Sequence, residues 1–227
     1  MRILALDTAT EVCSVALLLD EALLVRELPP GPGHSAHILG LVQAVLAEAQ
    51  LVLQELDCIA FGRGPGGFTG VRLAASVTQG LAYGAELKVV PVSDLLAVAQ
   101  RALDLEPSAQ SVLVCNDARM QEVYWSCASR GPSGLAVPAG TEQVSPPERV
   151  VLPDGLPGPV HGAGRGFVVW PQLKLTPNLT QIQAELLPCA REIARLAVPV
   201  WLAGKALDPA QAQPVYLRDD VAKPSRK

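Results

Sequence analysis

Apolar residues open the chain in short continuous runs that stop at acidic or turn residues. RILAL ends at Asp7, VCSVALLL runs up to Asp20 and Glu21, and ALLVREL follows. Runs this short, so bounded, predict a three-stranded antiparallel meander with hairpin turns. After the turn-rich PPGPGH the period changes. Ile38, Leu41, Val42 and Val45 recur at helical spacing, which predicts a first helix over about 35–50 with Ser35 as N-cap. The strand CIAFG, a glycine cluster and a second helix over about 70–83 follow, with Thr69 as its candidate cap. LKVVPV reads as a strand and SDLLAVAQRAL as a third helix capped by Ser93. The first lobe is therefore three strands, helix, strand, helix, strand, helix.

Near residue 111 the pattern starts again. VLVCNDARMQEVYWS matches ILALDTATEVCSVAL as an apolar strand, an acidic corner (Asp7, Asp117), a polar turn with a glutamate (Glu11, Glu122) and a second strand. Two such units about 110 residues apart predict a duplicated lobe, with residues 1–106 as the N-terminal lobe and 107–227 as a smaller C-terminal one. Residues 130–180 are rich in Pro and Gly, with strand-like RVVL and PVHGAG among loops. A closing helix is expected over about 181–203, broken or restarted at Pro188, kinked at Pro199 and ended by Gly204 and Lys205. PVYLRDDVAKPSRK is a polar closing segment.

Composition narrows the architecture. The 227 residues are 49% hydrophobic but only 4% aromatic, so the core must be built of Leu, Val and Ala, which suits helices packed on sheets better than a β-sandwich. A net charge of −4 without a basic stripe excludes strong unaided nucleic-acid binding; the one basic cluster is Lys223, Arg226 and Lys227. Five cysteines lie far apart with no Cys-x-x-Cys, the pattern of reduced, buried thiols rather than a zinc site. The N-terminus reaches Asp7 too soon for a signal peptide, and no apolar run approaches a membrane span, so a soluble cytoplasmic protein is expected.

The glycine cluster in GRGPGGFTGVRLAASVTQGLAYG carries the main functional question. Gly62 and Gly67 have Walker spacing, but Phe68 stands where a phosphate-binding lysine is needed. Gly62, Gly64 and Gly67 also spell Gly-x-Gly-x-x-Gly, with Asp94 placed as a ribose-binding acid could be. Against that reading, Pro65 removes a donor, and the unit lies behind an antiparallel meander. The helix that follows is more informative: Arg72 is its only charge, Val71, Ala74, Ala75, Thr78 and Leu81 form one stripe, and Leu73, Val77 and Gly80 form another. One stripe suits the helix's own sheet and the other needs a second cover, from within the domain or from a partner. The first helix is similar, with Glu48 as its only carboxylate and no Lys or Arg.

GRGPGGFTGVRLAASVTQGLA, with ILALDTATEVCSVAL before it, DARMQEVYW in the second half and PVYLRDDVA at the end, resembles the TsaB (YeaZ) family over nearly the whole chain. One departure is Gly67, where the family usually has serine. The resemblance implies an α/β, two-lobed actin/Hsp70/sugar-kinase-like (ASKHA) fold with a duplicated βββαβα lobe, the second lobe reduced. It also implies a non-catalytic subunit that pairs through its first-lobe helices with the catalytic paralogue TsaD, joined by the ATPase TsaE, for threonylcarbamoylation of the adenosine beside the tRNA anticodon. Alone, such a chain is expected to form a homodimer, and to meet tRNA only indirectly. The docking residues implied are Ile38, Leu41, Val42 and Val45 on the first helix and Phe68, Val71, Arg72, Ala75 and Thr78 on the second.

The residues themselves point away from catalysis. In the superfamily, phosphates lie between two hairpin turns that usually carry glycine; here the turns read DTATE and DARMQE, without glycine. Asp7 is either a remnant of a metal-facing acid or a corner residue bonding its own turn. His34 and His37 have no accompanying acid at zincin spacing, His161 at a strand end near Gly162, Gly164 and Gly166 reads as part of an ordinary turn in preference to a remnant nucleotide loop, and no serine lies in a Gly-x-Ser-x-Gly elbow. No catalytic, cofactor-binding or metal-binding residue is assigned. The rival class is a small ATPase or kinase of the same fold that has kept nucleotide binding.

Overall fold

The computed structural model describes residues 1–31 and 33–218. The opening apolar runs are strands β1 (Arg2–Asp7), β2 (Cys13–Leu19) and β3 (Ala22–Leu28), paired antiparallel in succession. β4 (Cys58–Gly62) joins β1 in parallel and β5 (Lys88–Val92) joins β4, so the first sheet runs β3-β2-β1-β4-β5. Its central strands are buried on both faces, which is why they read as unbroken apolar runs. Helices α1 (His34–Ala49) and α2 (Phe68–Gly84) cover one face, setting Ile38, Val42, Val45, Ala75 and Ala82 against Leu4, Leu6, Val15, Leu17 and Phe61. Each fully buried Val or Ile contributes about 1.5–3 kcal/mol, and on α1 that selects the face turned inward.

Of the three expected caps, one is found. α3 (Asp94–Leu105) starts at Ser93, whose hydroxyl accepts the Leu96 N–H at 3.1 Å. α1 instead begins after Gly33, whose φ of 96° reverses the chain into the helix, and Ser35 lies inside. α2 begins after Gly67, two residues before the expected start, because the preceding turn is already fixed by the N–H of Gly67 donating to Ala9 O at 2.7 Å. Neither α1 nor α2 has a side-chain cap.

The second half repeats this topology. β6 (Ser111–Asp117), β7 (Val123–Arg130) and β8 (Ala136–Pro138) pair antiparallel, with β9 (Gln143–Ser145) added to β7. β10 (Val160–Ala163) and β11 (Leu179–Gln183) continue in parallel, giving the order β11-β10-β6-β7-β8. Thus β6, β7, β8, β10 and β11 stand where β1, β2, β3, β4 and β5 stand in the first sheet. The connections are reduced: β9 and a 3₁₀ turn (Pro147–Arg149) replace α1, while α4 (Gly166–Val169) and a 3₁₀ turn (Pro171–Leu175) replace α2. Two expectations need correction here. RVVL is not a strand, since Arg149 closes the 3₁₀ turn begun by Pro147. The closing helix α5 spans only Ala190–Leu202, because LTQIQ pairs with β10 as an edge strand and Pro188 delays helix formation.

α3 and α5 lie between the sheets and cross over in allegiance: α5 packs on β1, β2, β4 and β5, while α3 packs on β6, β7 and β8. Alanines 97, 102, 190, 194 and 197 allow this close approach, and one core runs from the first sheet through both helices into the second. After α5 the chain returns to the first lobe. Leu207 bridges Val89, the Val215 N–H donates to Arg63 O at 2.8 Å, and Arg218 reaches the turn between β6 and β7. The basic residues Lys223, Arg226 and Lys227 lie outside the described residues. Among the described residues no helix is long and apolar enough to cross a membrane.

Candidate functional site

The glycines between β4 and α2 are used by contacts within the chain. A Cβ on Gly70 would overlap the Thr8 carbonyl oxygen, and one on Gly66 would stand 2.6 Å from Ala9 O. The Thr8 hydroxyl donates to Gly70 O at 2.7 Å, so the turn after β1 and the first turn of α2 are fastened together. Gly64 adopts φ +96°, a conformation that side chains rarely take. The cluster presses α2 against its own hairpin, which leaves no cradle for a phosphate.

Gly62 makes room for two carboxyls. A Cβ there would collide with Asp94 and come within 2.9 Å of Asp7 Oδ1. Both acids are fully buried. Asp7 Oδ1 accepts the Ala9 N–H at 2.8 Å, and Asp94 Oδ2 accepts the Gly64 N–H. Burial, and then the Asp7 charge beside it, push the Asp94 carboxyl well above the usual carboxylate range; burial also raises Asp7. Two carboxyls in one dry site share a proton. Asp94 is thus a latch on the glycine turn rather than a ribose acid, and Asp7 is the corner residue that bonds its own turn. Asp117 repeats that corner bond, accepting the Arg119 N–H at 3.1 Å.

The two hairpin turns do not fit a nucleotide. Glu11 in the first turn pairs with Arg165 from the second lobe, and Arg218 holds Glu122 in the second turn, its Nε donating at 3.1 Å. Arg63, just after β4, reaches across to Glu142 with two bonds of 2.9 and 3.0 Å. Carboxylates occupy both turns, and arginines that could attract phosphate are already engaged. Among the described residues no group of three or more His, Cys, Asp or Glu could hold a metal. His34 Nε2 lies 3.2 Å from Glu11 O, His37 is exposed and His161 is buried on β10. All five cysteines are free and buried; burial pushes the Cys13 thiol up to about 11 and those of Cys58, Cys127 and Cys189 up to about 12, so none offers a ready thiolate.

The expected docking residues divide. Ile38, Val42, Val45, Val71, Ala75 and Thr78 are buried in this chain's own core and are closed to a partner. Leu41 and Arg72 are half-buried, and Phe68 is 63% exposed. Both stripes of each helix are apolar, so the sequence held no signal for which one meets the sheet. On α1 the bulkier stripe (Ile38, Val42, Val45, Leu46) turned inward, as area burial dictates, whereas on α2 the inward stripe is mostly alanine (Ala74, Ala75, Ala82) with Val71 and Thr78, which lets that helix lie close to its sheet. The outward stripe is Leu39, Gly40, Gln43, Ala44 and Ala47 on α1, and Leu73, Ser76, Val77, Gly80 and Tyr83 on α2. It carries no charge, and its small residues permit close approach of another helix. Periodicity had marked Leu73, Val77 and Gly80; Leu39, Gly40, Ala44 and Tyr83 were missed.

A repeated five-stranded topology with two helices between the sheets defines a two-lobed α/β protein of the actin/Hsp70/sugar-kinase type. A family model described as "TsaD: tRNA N6-adenosine threonylcarbamoyltransferase" matches residues 31–160. The tRNA threonylcarbamoyladenosine biosynthesis protein TsaB of Escherichia coli (strain K12) is 42% identical over 98% of this chain and 96% of that protein. Its namesake in Haemophilus influenzae is 38% identical over 97% and 95%. The solved structure of YeaZ from Pseudomonas aeruginosa superimposes with a TM-score of 0.87 and 43% identity, covering 95% of this chain and 99% of that one. The chain belongs to the TsaB (YeaZ) family.

Proposed function

We propose that this chain acts in the cytoplasmic synthesis of threonylcarbamoyladenosine in tRNA, as the non-catalytic scaffold and activating subunit of a TsaD-like enzyme. The observation that carries this reading is the nearly charge-free outer face shared by α1 and α2, where Glu48 and Arg72 are the only ionic side chains and Gly40, Ala44, Ser76 and Gly80 are small. A helix face of this kind on a soluble protein calls for a cover, and Gly40, Ala44 and Gly80 let a partner helix approach to backbone contact. The lack of a catalytic role is supported by two hairpin turns whose carboxylates are held by arginines of this chain. The TsaD-like subunit supplies the chemistry, a TsaE-like ATPase joins the pair, and the same face closes a homodimer when the chain is alone.

Reconstituting tRNA modification with the catalytic subunit, with and without this chain, tests the proposal. Modification that needs the chain and tracks heterodimer formation in size-exclusion chromatography is the expected result. Equal modification in its absence overturns it. Calorimetry with ATP and magnesium separates the rival kinase or ATPase, since micromolar binding by the isolated chain would require a cleft that accepts phosphate.

A further inference from the structure

We propose that Tyr216, on the segment that returns after α5, extends the docking surface, and that Phe68, Arg72 and Tyr216 together form a clamp for a carboxylate of the partner subunit. This rests on the docking role of α1 and α2 put forward above. The guanidinium carbon of Arg72 lies 3.2 Å from the centroid of the Phe68 ring and 4.8 Å from that of Tyr216. Its Nη1 donates to Phe68 O at 2.9 Å. The guanidinium is therefore flanked by two rings and tied to Phe68 O through Nη1, and its remaining N–H groups are the part left for recognition. Such groups match a carboxylate in the guanidinium plane.

The rings themselves call for a cover. Phe68 is 63% and Tyr216 51% exposed. Tyr and Arg are enriched among interface hot spots, Tyr because its rigid ring buries large area at small conformational cost and Arg because its planar fork pairs with specific geometry. Tyr216 is also held in advance on both sides: the Val215 N–H donates to Arg63 O at 2.8 Å, and Arg218 Nη2 donates to Ala118 O at 3.1 Å. A segment tied down before binding loses little freedom on binding.

Charge selects the occupant. Arg72 is the only cation on α2, α1 has neither Lys nor Arg, and among the described residues Arg72 enters no ion pair. A single cation on a neutral face matches one acidic side chain of a protein. Nucleic acid fits less well, since no second cation on these helices follows a phosphate backbone.

Calorimetric titration of the full chain against the catalytic subunit tests the clamp. Tyr216→Ala and Arg72→Gln should each weaken binding by at least about tenfold. Arg72→Lys should weaken it comparably, because an ammonium lacks the planar edge, whereas Tyr216→Phe should stay within about twofold. Thermal melting checks that the variants remain folded, and the Arg72 pair tests the clamp even where Tyr216→Ala loosens the segment. Affinities of Tyr216→Ala and Arg72→Gln within twofold of the parent, while Gly80→Asp abolishes binding, would overturn the clamp and leave the docking reading standing. A parent chain that does not bind at all removes the docking reading, and the clamp with it. Anisotropy with an anticodon stem-loop RNA supplies the other arm: RNA affinity lost in Tyr216→Ala with protein affinity unchanged would overturn the proposal in favour of RNA.

Discussion

The helix that follows the glycine-bearing loop differs sharply between the two lobes. In the first it is α2, seventeen residues long; in the second it is α4, four residues long and continued only by a 3₁₀ turn. Both crossovers return the chain to a parallel strand beside the one they left. The short version shows that the topology is satisfied without a long helix. The extra turns of α2 must therefore serve something besides sheet closure, and its outward stripe is uncharged, with Leu73, Val77 and Tyr83 set around the small Ser76 and Gly80. Exposed apolar residues also occur around α4, at Val168, Val169 and Leu175, but they lie on a single turn of helix and its flank, which cannot offer a helix-long seam.

The largest effect is expected where α2 is launched. Gly70→Ala would drive a Cβ into the Thr8 carbonyl, backbone against backbone, so neither side can move aside as a side-chain end would. A loss of more than about 3 kcal/mol is expected in urea unfolding. The corresponding change in the second lobe, Gly166→Ala, sets a Cβ 2.6 Å from Cys115 O and should cost about 2 kcal/mol. If the two substitutions proved equally mild, the claim that the glycines exist to seat their helices would fail.

Next in size is the loss of docking. A Cβ on Gly80 meets nothing within 4 Å, so Gly80→Asp leaves the monomer's stability within about 0.5 kcal/mol while placing a charge in the proposed seam. Partner affinity should fall by about a hundredfold or more, as for an unpaired charge buried in an interface. Val169→Glu in the second lobe, a comparable charge on an exposed apolar site, should leave affinity unchanged. Equal losses from both substitutions, measured by calorimetry, would erase the distinction between the lobes.

A smaller effect belongs to the buried acids of the first lobe, since Asp117, which repeats the Asp7 corner in the second, is only half-buried. Asp94 holds its proton far above the ordinary value of 3.8 in the folded state, whereas the unfolded chain releases it near that value. A raised folded pKa contributes stability that is complete below about 3.8 and is lost as pH rises through the folded pKa. Asp94→Asn keeps an acceptor for the Gly64 N–H and a donor toward Asp7, without a proton to lose. The variant should therefore match the parent in acid and exceed it in alkali, flattening the decline of the melting temperature with pH. An unchanged slope would mean that the pair is not protonated in the fold.

How much of this was legible in the sequence depends on whether the signal was local. The meander, the Ser93 cap and the second lobe beginning at the Asp117 corner were readable, because each is written in neighbouring residues: an apolar run, a hydroxyl before a helix, an acid before a turn. The exchange of α3 and α5 between sheets was not, since both helices are amphipathic and nothing in an amphipathic pattern names the sheet it will cover. The same ambiguity assigned Val71 and Ala75 to a partner when they belong to the core, so charging them would test folding rather than docking. β11 was absorbed into the closing helix because LTQIQ is short and polar, and its pairing depends on β10, beyond the intervening α4 and 3₁₀ turn. Asp94 entered only through the dinucleotide reading that Pro65 and the antiparallel meander argue against, because a strand followed by an acid looks the same whether the carboxyl faces a ligand or a second carboxyl. That distinction exists only once Gly62 has brought Asp7 alongside.

The smallest effect is expected at Gly67, where the family usually has serine. Gly67 is the N-cap of α2, with φ −63° and ψ 130°, a conformation any residue accepts. A Cβ there would sit 3.4 Å from Ala9 O, an ordinary contact, in contrast to the collision at Gly70. Gly67→Ser removes freedom from the unfolded chain, worth about 0.4–1 kcal/mol, and adds a hydroxyl that can accept from the first turn, worth a few tenths more over glycine. The variant should therefore be stabilised by about 0.5–1 kcal/mol, read as a higher urea midpoint at unchanged slope, with partner affinity within about twofold. A destabilised Gly67→Ser would show that the launch of α2 has no slack even at its cap. A stabilised one would confine the strict demand for glycine to Gly62, Gly66 and Gly70, whose missing side chains are filled by other parts of the chain.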